Sequence, residues 1–189
     1  METKPLSKKM QHRVDVMRDI QMLVKQGRLH PIEGSYIHVE GDYGHYSEEV
    51  TWSGVCEAFK QYRRCQVCMD GAVMMSFFHR KGSLDTCDVV PRNLKGKVID
   101  SKDGVHSAVK SIFSIAELDI LEAAYETNED LGFYSSVYDR RNACCWGRRI
   151  NDGNADETER MLAIAQSIID HDGRIVFHIP GAPLPTVVP

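Results

Sequence analysis

The stretch Arg63-Arg64-Cys65-Gln66-Val67-Cys68-Met69-Asp70-Gly71-Ala72-Val73-Met74-Met75-Ser76-Phe77-Phe78-His79 constrains the fold more than any other. Beyond its Cys-x-x-Cys and the small step Gly71-Ala72 comes an apolar run that leaves no face for water. A helix that is apolar nearly all round has to be buried. The other patterned segments are amphipathic, so they are expected to pack around a central helix at about Cys68 to His79.

Those segments read as follows. Met10, Val14, Met17, Ile20 and Val24 recur every three or four residues, which predicts a helix over 8–26 with Ser7 as N-cap and Gly27 past its end. Ser47-Glu48-Glu49 resembles a helix start, and Val50 to Tyr62 follows with Val55, Phe59 and Tyr62 inward. Ser114-x-x-Glu117 has the form of a capping box and opens a helix over Ile115 to Tyr125, with Ile115, Leu118, Leu121 and Tyr125 on one face. A last helix is expected over Ala155 to Asp170, with Met161, Leu162, Ala165, Ile168 and Ile169 inward. Tyr36 to Val39 and Arg174 to Ile179 read as short strands. The expected fold is α+β and mainly helical: four or five helices around the buried one, with a small sheet.

At 189 residues the chain is large enough to fold without disulfides or metal. Hydrophobic content of 42% and charged content of 26% exclude global disorder. One globular domain is expected over residues 1–179, with an insertion at 81–106 marked by Gly82, Pro91, Gly96 and Gly104. Residues 180–189 are a Pro-rich tail. No run approaches the roughly 20 apolar residues of a membrane span, and Met1 to Pro5 carries no apolar signal core. The expectation is a cytoplasmic protein whose six cysteines are reduced thiols. A net charge of −4 argues against a general nucleic-acid binder.

Cys68 is the candidate nucleophile. A thiol at a helix N-terminus feels the positive end of the dipole, and Arg63 and Arg64 add to it, which favours the thiolate. His45, His79 or His178 could serve as base, with Asn151 or Asp152 orienting it. The plainer reading is a small buried thiol beside Gly71-Ala72. Cys65-x-x-Cys68 also suggests zinc, with Cys144-Cys145 completing four ligands, or a redox dithiol. Adjacent cysteines chelate poorly and a βαβ frame is missing, so neither metal nor cofactor is expected. Asp152, Asn154 and Asp156 start like a calcium loop, but Glu157 stands where Gly belongs and Ala163 where the closing Glu belongs. These acids fit a turn and a helix N-terminus better.

Two groups suit binding. Arg63-Arg64, Arg140-Arg141 and Arg148-Arg149 are basic pairs that would form an anion, nucleotide or nucleic-acid site if they converged. Tyr36, Tyr43, Tyr46 and His45 cluster in a Gly-rich segment, and tyrosines in such segments suit protein contacts.

The chain resembles an uncharacterised family of small bacterial and phage proteins. The resemblance rests on Gly34-Ser35-Tyr36 after the first helix, on Cys68-Met69-Asp70-Gly71-Ala72-Val73 for the family's Cys-x-x-Gly-Ala-Leu helix start, and on Ile150-Asn151-Asp152 before a helix bearing Thr158-Glu159. It implies a mostly helical domain in a phage or bacterial setting and brings no reaction with it. The 81–106 segment and the tail depart from the family pattern and are where a private contact would reside. The leading expectation is therefore a non-enzymatic interaction protein that binds a host or phage macromolecule, inhibition of a host system being one form such binding could take, in the host cytoplasm if phage-encoded. The alternative is a Cys68-dependent amide hydrolase or transferase.

Overall fold

The computed structural model describes residues 5–34, 36–41, 46, 51–86, 102–126, 143, 146–147 and 156–176. Within them the chain is a mainly helical α+β fold. The elements are α1 (Lys8–Lys25), β1 (Leu29–Pro31), β2 (Ile37–Val39), α2 (Trp52–Lys60), β3 (Cys65–Val67), α3 (Met69–Arg80), α4 (Ser83–Thr86), α5 (Lys102–Val109), α6 (Ile115–Glu126) and α7 (Glu157–Asp170).

The apolar run does become the centre. Every residue of α3 from Met69 to Phe78 is buried. Helix α1 packs on α3 with Val16, Met17, Ile20 and Leu23, and α6 covers it with Leu118 and Leu121. Helix α7 closes over α1 and α6 through Met161, Ile164, Ala165 and Ile168. These side chains belong to one continuous core, which also holds Trp52, Val55 and Phe59 from α2.

Local chemistry sets the helix ends. Ser7 Oγ accepts the Met10 N–H at 3.3 Å, and Thr51 Oγ1 accepts the Gly54 N–H at 3.2 Å. The capping box is reciprocal: the Ser114 N–H donates to Glu117 at 2.8 Å and the Glu117 N–H to Ser114 Oγ at 3.3 Å. Asp156 caps α7 by accepting the Thr158 N–H at 3.0 Å, so this acid serves a helix start, as its sequence setting suggests.

The sheet differs from expectation in its membership. Its order is β1-β3-β2, with β3 parallel to β1 and antiparallel to β2. Val67 pairs with Pro31 on one side and Ile37 on the other. Residues 174–176 form no strand; they leave the Asp172-Gly173 turn with the Val176 carbonyl accepting from Ser167 Oγ at 3.1 Å. Residues 177–179 lie outside the described residues. So do 87–101, the middle of the expected insertion, while its two flanks are the helices α4 and α5.

One buried cation ties the layers. Arg13 on α1 is 2% exposed. Its Nε donates to the Ile112 carbonyl at 2.7 Å, its Nη1 to the Gly173 carbonyl at 3.3 Å, and its Nη2 to Glu117. Burial by itself would raise the Glu117 pKa, but Arg13 and the Ser114 donors outweigh it and hold the carboxyl below its ordinary value.

Candidate functional site

The junction of β3 and α3 gathers the most unusual chemistry. Cys65 sits in the middle strand, and Cys68 is the N-cap of α3. Helix α6 lies across this junction and presents Glu122, Tyr125 and Glu126 to it. The Asp70 N–H donates to Glu122 Oε2 at 3.1 Å, and the Cys68 thiol and Glu126 also hydrogen-bond Glu122. The Gly34 N–H donates to Glu126 Oε1 at 3.1 Å, which draws the β1–β2 connection onto the same point. Arg160 on α7 closes the rim through Glu33 and the Tyr125 carbonyl.

Gly71 makes this convergence geometrically feasible. A Cβ at this position would stand 1.7 Å from the carbonyl oxygen of Tyr36. The small step in the sequence therefore admits a backbone carbonyl to the helix surface, and with it the Tyr36 ring.

The electrostatics run against a thiolate. Burial raises the Cys68 pKa well above its ordinary value, and the neighbouring Glu122 and Asp70 push the same way; the Gly71 N–H opposes them. Contrary to the expected thiolate, desolvation and two carboxyls outweigh one helix terminus at Cys68. Glu122 is itself raised well above the carboxylate range by burial, then by Asp70 and Glu126. A carboxyl that holds its own proton does not take one from a thiol. Cys65 is pushed up to about 12 by burial, with Arg28 opposing. Both thiols are buried and free, so the pair lacks the lowered pKa of a redox dithiol. Burial, then Asp70 and Cys68, raise the Tyr36 phenol; burial, then Cys68 and Glu122, raise Tyr125. The Tyr125 hydroxyl is buried with no hydrogen-bond partner among the described residues.

His79 does not meet Cys68. It sits at the far end of α3, 11 residues on by chain number, or roughly 16 Å along the helix axis. Its Nδ1 is 2.9 Å from Asp19 Oδ2, a carboxylate that also accepts from Ser76 Oγ at 2.8 Å. Asn151, Asp152, His45, His178, Cys144, Cys145, Tyr43, Arg140, Arg141, Arg148 and Arg149 lie outside the described residues. Among the described residues no three His, Cys, Asp or Glu side chains are placed to hold a metal ion. No helix among them is long and apolar enough to cross a membrane.

The remaining binding candidates divide between two ends of the sheet. Tyr36 stands at the α3 end. Tyr46 bridges Glu40 beside the start of β3, where Arg64 lies 3.7 Å from the Glu40 carboxylate. Tyr62 belongs to this second group and not to the core. It lies beyond the end of α2 and is 79% exposed, because the helix stops at Lys60 before its spacing can carry Tyr62 inward.

Sequence reading passed over Asp70, Glu122 and Glu126. Glu122 had a usable signal, since it falls inside the arc of Leu118, Leu121 and Tyr125. An acid within an apolar stripe marks a buried polar contact. The chain matches no family model, no curated protein and no solved structure.

Proposed function

We propose that this protein acts by binding a macromolecule of a phage or of its bacterial host, in the host cytoplasm, and that the binding inhibits its target. The observation that carries this reading is the state of Cys68. The residue with the best sequence credentials for covalent chemistry is 1% exposed, and its thiol, held protonated by burial, faces the carboxyls of Glu122 and Asp70. That is the setting of a structural hydrogen bond, and it favours a binding protein over a Cys68-dependent hydrolase or transferase. The phage or bacterial setting is supported by the motif resemblance around Cys68, Gly71 and Ala72.

Affinity capture from bacterial lysate with wild type and Cys68→Ser separates the readings. Binding predicts the same stoichiometric partner with both proteins. A partner or covalent adduct that forms with wild type and disappears with Cys68→Ser would overturn it. Iodoacetamide labelling gives a second arm: native Cys68 stays unmodified at neutral pH, whereas rapid modification would restore the enzyme reading.

A further inference from the structure

Four helices end alike here, and one of them breaks the rule for how such ends are made. After α1, the Arg28 N–H reaches the Leu23 carbonyl at 2.9 Å and the Gly27 N–H reaches Val24 at 2.9 Å, with Gly27 at φ 69°. After α7, the Gly173 N–H reaches Ile168 at 2.8 Å and the Asp172 N–H reaches Ile169 at 3.1 Å, with Asp172 at φ 57°. After α3, Gly82 holds the same place at φ 68°. These are left-handed helix-terminating positions, which glycine and, less readily, Asn or Asp accept. After α2, the Arg63 N–H reaches Ala58 at 2.9 Å and the Tyr62 N–H reaches Phe59 at 3.2 Å, with Tyr62 itself at φ 59°. A bulky side chain in that conformation is strained, and it gains no burial in return, being 79% exposed. Strain retained by an exposed residue points to use of that residue.

The surroundings say what for. The Arg28 guanidinium lies 3.5 Å from the centre of the buried Phe59 ring and 4.6 Å from that of Tyr62. Tyr62 thus stands on a guanidinium that is fixed from below by Phe59 and by its hydrogen bond to the Phe59 carbonyl. The platform is set before any partner arrives, so little side-chain freedom is lost on contact. Lys60, Arg63 and Arg64 flank it in sequence. Among the described residues, two acids stand beside these four cations: Glu57, which accepts from Gln61 at 2.8 Å, and Glu40, which faces Arg64. The corner is therefore basic and aromatic on a molecule of net charge −4.

We infer that the Tyr62 corner, with Arg28, Arg63 and Arg64, is a docking surface for an acidic segment of a protein partner. The inference rests on the binding function proposed above and assigns that binding to one surface. Tyr and Arg are the residues that dominate protein contacts, and the local charge selects an acidic counterpart. A nucleic acid is the less suited occupant, because one exposed ring gives no succession of stacking positions.

The test uses the full chain and a fluorescein-labelled Glu/Asp-rich peptide carrying leucines, with a Lys-rich peptide and an oligo(dT) strand as competitors. Wild type is expected to bind the acidic peptide, and both Tyr62→Gly and Arg64→Glu to weaken it at least about tenfold. The melting temperature of Tyr62→Gly is expected not to fall, because glycine accepts the left-handed backbone. Absence of peptide binding by wild type, equal binding by both variants, preference for oligo(dT), or a lowered melting temperature for Tyr62→Gly would each overturn the proposal. Lysate capture separates the two levels. A partner recovered equally by wild type and Tyr62→Gly removes this surface and leaves the binding function standing. No partner recovered by wild type removes both.

Discussion

Gly71→Ala tests how the candidate site is assembled. The added methyl would stand 1.7 Å from the Tyr36 carbonyl oxygen, 2.8 Å from its carbon and 3.3 Å from Ile37 Cγ1. Non-bonded heavy atoms settle near 3.5 Å, so the Tyr36 backbone has to retreat by roughly 1.5–2 Å. The obstacle is main chain and cannot swing aside as a side chain would. Retreat pulls on Ile37, which is 4% exposed and registered against Val67, and on the Gly34–Glu126 hydrogen bond. Overpacking of this kind costs about 1–3 kcal/mol. Partial exposure of Ile37 adds about 1 kcal/mol and the weakened hydrogen bond up to about 1 kcal/mol. The expected loss is therefore about 2–5 kcal/mol, a large share of the stability of an ordinary domain. Equilibrium urea unfolding followed by far-UV circular dichroism reads it directly. A Gly71→Ala protein within about 1 kcal/mol of wild type, outside that range, would refute the close approach of Tyr36 to α3.

Arg13→Met keeps the aliphatic stem of the side chain but strips three hydrogen bonds, two from buried backbone carbonyls and one from the half-buried Glu117 carboxylate. It is expected to lower stability by about 2–5 kcal/mol in the same urea assay, and a loss below about 1 kcal/mol would count against the buried guanidinium. Glu122→Gln changes the pH profile. In the unfolded chain Glu122 ionises near its ordinary value of 4.5, whereas in the fold burial keeps it protonated well above that. Below the unfolded value both states hold the proton. Above it the unfolded chain releases a proton that the fold retains, so wild-type stability falls as pH rises until the folded value is passed. Glu122→Gln removes that slope, and its stability relative to wild type is expected to rise as the pH climbs above the unfolded value, until the folded value is passed; a pH-independent difference would refute the assignment.

How far the sequence could be read follows from how local each feature is. Helix α1, the Ser114–Glu117 box and α7 carry periodicity and caps within a few residues, and all three form as read. The buried centre was legible because an apolar run without a polar face has only one environment open to it. Strands β1 and β3 were not legible: three residues hold too little alternation, and their pairing depends on chain brought from elsewhere. Tyr62 misled because its spacing from Phe59 continues the inward face, while the stop after Lys60 lacks the glycine found just past the ends of α1, α3 and α7. The acid–thiol cluster needed tertiary knowledge, since the burial that raises Cys68 and Glu122 comes from α6 and the β1–β2 connection lying over α3. The dipole of α3 could be read from the sequence, and the stronger desolvation opposing it could not.

Arg13 also sets an order of events during synthesis. Its partners Ile112 and Gly173 follow it by 99 and 160 residues. At a ribosomal rate of 5–20 residues per second, the last of them emerges roughly 10–30 seconds after the cation does. For that interval α1 has its apolar face and a charge that belongs in the interior, but no α7 to close over them. The nascent chain therefore passes through a stage in which its first helix is complete in sequence yet cannot be sealed. Chaperones that hold exposed apolar helices would find this protein during that interval, and a ribosome stalled before Gly173 would leave it there.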